Sequence, residues 1–195
     1  MMDNENIGND VKLVGQLLDA YGNCDEDSSE VIYQLAYTKL QTILKGGHPR
    51  APYLQALMPI LESDDKYDVS VSEHDAQFNA LMKQSADAGV PQAQYEHACR
   101  LYEQGHHRAA VRLYKLSADN GFPPSQYCYG LDVYNGVGTD ANEVEGLHFI
   151  ELAAGRLYNL AIEFLIHLYR DDKSGEGSKK FDLYSRMLVW SEQYE

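Results

Sequence analysis

Residues 85–105 read SADAGVPQAQYEHACRLYEQG, and residues 117–136 read SADNGFPPSQYCYGLDVYNG, nearly the same phrase written twice at a spacing of 32 residues. Catalytic side chains come once per site, whereas a stacked structural unit must be written again for every layer. Each copy runs from a small-residue pair through a glycine turn, Gly89-Val90-Pro91 or Gly121-Phe122-Pro123-Pro124, into an apolar run. Proline is tolerated at a helix start, where its missing N–H would have no partner anyway. The phrase therefore reads as a packing instruction: turn, proline-primed helix start, small contact residue, aromatic.

Outward from these copies the periodicity stays helical. Apolar residues recur at three- and four-residue steps in ten segments: Val11–Tyr21, Val31–Leu44, Tyr53–Leu61, Phe78–Met82, Ala93–Tyr102, Ala109–Leu116, Tyr127–Tyr134, Val144–Ala154, Leu160–Tyr169 and Phe181–Trp190. Breakers separate them, among them Gly22-Asn23, Gly46-Gly47-His48-Pro49 and Gly136-Val137-Gly138. Only Tyr67–Val71 alternates as a strand would, inside an acidic stretch. The chain reads as all-α. Set in register, the pairs Ser85-Ala86, Ser117-Ala118, Ala153-Ala154 and Met187-Leu188 fall 32, 36 and 34 residues apart. After the first three pairs a small residue opens the next helix (Ala93, Ser125, Ala161), and five positions later stand Ala98, Gly130 and Ile166. A small side chain there lets two helices approach closely. Each unit is thus an antiparallel helix pair that buries its face only by stacking on a neighbour.

These residues resemble the Sel-one-like repeat (SLR), a relative of the tetratricopeptide repeat. Its pattern runs Ala-x3-Leu-Gly-x2-Tyr-x2-Gly-x-Gly, then Ala-x2-Trp-Tyr-x-Lys-Ala-Ala-x2-Gly. The best copy is Ser125 to Leu157: Gly130, Gly136 and Gly138 match the glycines, Gly146 the small position, Phe149 the Trp position and Ala153-Ala154 the paired alanines. The unit from Ala93 has a shorter loop, and near Ile43, Gly47 and Ala51 the pattern is faint. The resemblance implies a right-handed α-solenoid of stacked antiparallel helix pairs. It also implies an adaptor-like role, because such repeat proteins assemble complexes, and some resemble immunity proteins encoded beside secreted bacterial toxins. One solenoid domain is expected over residues 1–195: divergent N-terminal helices and an acidic insert, Glu62 to Glu73, over 1–73, then repeats and a C-terminal capping helix over 74–195.

The formal charge of −14 argues against nucleic acid, which needs clustered Lys and Arg; the longest basic run is Lys179-Lys180. It also disfavours an anionic membrane surface, and it would steer a basic protein toward the chain. Residues 1–73 hold thirteen acidic and five basic side chains, more than half of the net charge. No apolar run reaches the roughly 20 residues that span a bilayer, and the start, MMDNENIGND, is unlike a secretory signal. Cys24, Cys99 and Cys128 form no metal-like pair, and Cys99 and Cys128 fall at different repeat positions. A reducing, cytoplasmic setting fits these thiols.

No HExxH, CxxC or GxSxG occurs, so the expectation is no catalytic site, no metal and no cofactor. Gly136-Val137-Gly138 lacks the Gly-Lys-Ser/Thr of a phosphate loop and reads as an interhelical turn with positive φ. A partner surface is expected on the concave side, lined by the first helix of each unit. With Ala93, His97, Ala98 and Leu101 on the buried side of the wheel, Tyr95, Glu96, Cys99 and Glu103 face away. The next units present Tyr127, Cys128, Leu131 and Asn135, then Glu163, Phe164 and His167. The expected partner-binding residues are Tyr95, Glu96, Glu103, Tyr127, Leu131, Glu163, Phe164 and His167, aromatic anchors beside carboxylates suited to a basic protein. The same wheel allows Tyr127, Leu131 and Phe164 to pack against a neighbouring helix. Two other readings stand beside this one: a hydrolase using His97, Glu163 and His167, and a structural oligomer with Trp190 at an open repeat end.

Overall fold

Each periodic segment lies within a helix or overlaps one. The computed structural model describes residues 4–58 and 71–194, and these hold ten helices and no strand. They are α1 (Asn4–Tyr21), α2 (Glu26–Lys45), α3 (Ala51–Leu57), α4 (Val71–Asp87), α5 (Pro91–Glu103), α6 (His107–Asp119), α7 (Pro123–Asn135), α8 (Glu143–Ala154), α9 (Asn159–Tyr169) and α10 (Gly175–Tyr194). The alternating stretch at residues 67–70 and the acidic insert up to residue 70 lie outside the described residues. Pro91 and Pro123 open α5 and α7, as their positions in the repeated phrase require.

The chain divides into two compact units, Met1–Ala93 and Gln94–Glu195. In the first, α1, α2 and α3 enclose a core of Ile7, Val11, Val14, Leu40, Ile43, Ala51 and Leu54. A Lys39–Asp10 ion pair at 3.0 Å ties α2 to α1. A second cluster, Met82, Ala86, Val90 and Ala93, gathers Tyr53 and Phe78 around α4. In the second unit, Ala98, Ala110, Val111, Tyr114, Ala118, Tyr129 and Val133 pack α5, α6 and α7 together. Ile150, Ala153, Ala154, Ala161, Ile162, Leu165 and Tyr184 continue the core through α8, α9 and α10.

The recurring pairs of the sequence now have a cause. At Gly121 the N–H bonds the Ala118 carbonyl (2.8 Å) and the Phe122 N–H bonds the Ser117 carbonyl (3.2 Å). Gly89 and Val90 bond Ala86 and Ser85 in the same way, and Leu157 and Tyr158 bond Ala154 and Ala153. This is the Schellman closure, in which a residue with positive φ lets two late carbonyls be satisfied. Gly121 adopts φ 79°, but Leu157 must adopt φ 61° with a full side chain, a conformation that costs roughly 1–2 kcal/mol.

The position matching Gly130 and Gly146 explains the glycines of the repeat. A Cβ on Gly146 would lie 2.6 Å from the Gly130 carbonyl oxygen and 2.7 Å from the Tyr134 nitrogen. One on Gly130 would lie 2.8 Å from the Gly146 oxygen. Helices α7 and α8 therefore touch backbone to backbone, with Phe149 set edge-on to Tyr129 at 4.7 Å beside the crossing.

A candidate protein-binding face

The expected residues all belong to the second unit, on α5, α7 and α9. Tyr95 does not stand free as the wheel would have it. It is half-buried in the seam between α5 and α7, its ring 5.5 Å from Phe122 and 5.9 Å from Tyr114. The wheel set it on the side away from Ala93, but the next unit's first helix stacks on that side. Tyr127 and Leu131 likewise lie in the seam between α7 and α9, with Tyr127 against Tyr158 at 5.7 Å. Phe164 meets Tyr134 edge-on at 5.8 Å. Glu96 is half-buried, whereas Glu103, Glu163 and His167 are exposed, as is Asn135.

Two cysteines from different repeat positions converge in the first seam. The Tyr114 hydroxyl, on a ring only 5% exposed, donates to Cys99 Sγ at 3.4 Å. Burial, then the thiols of Cys128 and Cys99, push the Tyr95 hydroxyl above its ordinary range. Burial, then Cys99 and Asp132, push the Cys128 thiol up to about 12, so it stays a neutral, weakly polar group. Burial also raises Tyr127 and Tyr158, with the Cys128 thiol the next cause for both. All three cysteines are free thiols.

Sequence reasoning passed over Asp132. It is 6% exposed, its Oδ2 has no hydrogen-bond partner, and burial pushes its carboxyl up to about 7. A buried carboxylate normally has a cation or several donors beside it. The signal was available: Asp132 is the one charged residue in the run SQYCYGLDVY, one turn beyond Cys128. Exposed Glu163 and His167 stand one turn apart on α9, whereas His97 belongs to α5, with α7 packed against both layers. Among the described residues no three His, Cys, Asp or Glu side chains group closely enough to hold a metal ion. No described helix is long and apolar enough to cross a membrane.

No family model matches the chain, and no curated protein matches it. Solved structures do. The crystal structure of a Sel1 repeat protein from Oxalobacter formigenes aligns over 75% of this chain and 96% of its own, with a TM-score of 0.50 and 18% identity. The crystal structure of c5321, a protective antigen of uropathogenic Escherichia coli displaying an SLR fold, aligns over 98% of this chain with a TM-score of 0.64 and 17% identity. This chain covers 41% of that antigen's length. Paired helices, glycine-mediated crossings and these two likenesses agree: the chain has the all-α Sel1-like repeat fold, a helical solenoid.

Proposed function

We propose that this chain is a non-enzymatic binding module for a basic protein, engaged through the α5, α7 and α9 face of the second unit. The observation that carries the reading is Asp132, a nearly buried carboxylate to which no hydrogen-bond donor or cation is offered at Oδ2. Its Oδ2 is closed to solvent in the free chain, so a partner Lys or Arg would supply the missing counter-charge only as the seam opens on binding. On the same three helices Glu103 and Glu163 are exposed and Glu96 half-buried, and Tyr95, Tyr127, Leu131 and Phe164 are partly exposed apolar groups that a partner would cover. Helical repeats of this kind are scaffolds for recognition, and inhibition of a basic toxin, as an immunity protein performs it, is the specific role that such an acidic binder suits.

Affinity capture from native lysate at low and at moderate salt tests the proposal, using wild type beside the triple variant Glu96→Gln, Glu103→Gln, Glu163→Gln. A single basic protein should be captured by wild type, weakened by salt and lost in the variant, since rim charges govern encounter rate and salt dependence. The same proteins captured equally by both forms, or none at either salt, would reject it.

A further inference from the structure

One cleft in this acidic chain is basic. Arg108 and Arg112 stand one turn apart on α6 and line a cleft of about 620 Å³ together with Val111 and the turn after α7: Gly136, Gly138, Thr139 and Asp140. Like charges one helical turn apart repel. Four lysines of the described residues hold carboxylate partners, yet neither of these guanidiniums has a carboxylate within ion-pair distance there. Other cations among the described residues are also without a carboxylate partner; what sets Arg108 and Arg112 apart is that they stand side by side in one cleft.

The turn is held at a fixed distance from them. Gly136 and Gly138 adopt φ 72° and 68°, and a Cβ on Gly138 would lie 2.7 Å from the His107 carbonyl carbon and 3.0 Å from the Arg108 nitrogen. The turn thus rests backbone on backbone against the start of α6, closing one side of the cleft beside Arg108. Its own bonds are made at its ends, Val137 N–H to the Asp132 carbonyl and Asn142 N–H to the Val133 carbonyl, both 2.8 Å. The Gly138, Thr139 and Asp140 amides donate to no group among the described residues. Two guanidinium forks and unspent turn amides are a donor set that recognises a tetrahedral oxyanion.

We propose that this cleft binds the phosphoryl group of a small phosphorylated ligand. Arg108 and Arg112 neutralise the dianion, which a singly charged planar carboxylate would leave half-matched. The turn amides donate to its oxygens, and Asp140 accepts a hydrogen bond from a hydroxyl on the ligand itself. With Asp140 on its rim, the cleft carries two guanidiniums against one carboxylate.

Calorimetric titration of the whole chain with inorganic pyrophosphate and, separately, ribose 5-phosphate tests this. Wild type should bind both saturably at one site. The variant Arg108→Gln, Arg112→Gln should lose at least about tenfold in affinity for each, one charge-assisted hydrogen bond or more. Arg170→Gln, Lys173→Gln, which removes two exposed cations elsewhere on the unit, should bind like wild type. Asp140→Asn should weaken ribose 5-phosphate more than pyrophosphate. Absence of saturable binding by either probe, or equal weakening in the Arg170/Lys173 variant, would overturn the assignment. Both arginines are exposed, so the variants keep the fold.

Discussion

Replacing Asp132 by Asn isolates the cost of burying one charge. The side chain keeps its shape while the carboxylate is removed. In the folded chain burial holds the Asp132 carboxyl up to about 7, against 3.8 when exposed. A group raised in this way binds its proton in the folded state where the unfolded chain has already released it. Its contribution to stability is therefore whole below the unfolded value, falls as pH rises from about 4 to about 7, and is flat above that. A displacement of about three pH units at ~1.4 kcal/mol each sets a ceiling near 4 kcal/mol on what wild type forgoes at alkaline pH. Relaxation and water entry reduce it, and we expect about 2–3 kcal/mol. Urea unfolding of both forms, followed by the fluorescence of Trp190, reads the difference; Trp190 is the only tryptophan and lies in the same unit. Asp132→Asn should be more stable by that amount at pH about 8 and nearly equal to wild type at pH about 4. Other carboxylates titrate alike in both forms and cancel. A gain that does not change with pH, or a loss at pH about 8, would show that the ionised carboxylate is satisfied in the folded chain, and would remove the motive for a partner cation there.

Two further outcomes follow from the packing. Gly146→Ala should destabilise the second unit by about 3 kcal/mol in urea unfolding, because its Cβ would meet backbone rather than a side chain that can turn aside. Ser85 and Ser117 occupy the same repeat position but differ in partner: Ser117 bonds Ser125 at 2.7 Å, whereas the fully buried Ser85 hydroxyl has no partner. Ser117→Ala should therefore cost about 1–2 kcal/mol, and Ser85→Ala should be neutral or stabilising by up to ~1 kcal/mol. Thermal midpoints of the two variants decide it: equal losses would mean the Ser117–Ser125 bond contributes nothing specific.

The helices were legible because apolar period and breakers agree along the chain, and the repeated phrase supplied the register. Gly130 and Gly146 were legible as small residues at a crossing. Leu157 was not, because nothing in its identity shows that it must take the left-handed conformation that glycine takes after Ala118. The seam of Tyr95, Cys99 and Cys128 escaped a single-helix wheel for a different reason. A wheel distinguishes inside from outside but not outside from the flank of the next repeat, and in a stacked array that flank is also covered. Asp132 was masked by the many carboxylates that simply solvate surfaces, and Arg108 and Arg112 by lying some 30 residues from the turn that completes their cleft.

The small residues where one helix pair meets the next differ along the chain: Ser85 with Ala93, Ser117 with Ser125, Ala153 with Ala161. One junction holds a stranded hydroxyl, one a hydrogen bond, and one is wholly apolar. In a linear array each layer is coupled only to its neighbours, so unequal junctions make a graded chain of couplings rather than a uniform one. Under load or heat such a chain yields first at its weakest link. The Ala153–Ala161 junction, sealed by Ile150, Ile162 and Leu165, is then the link that holds longest.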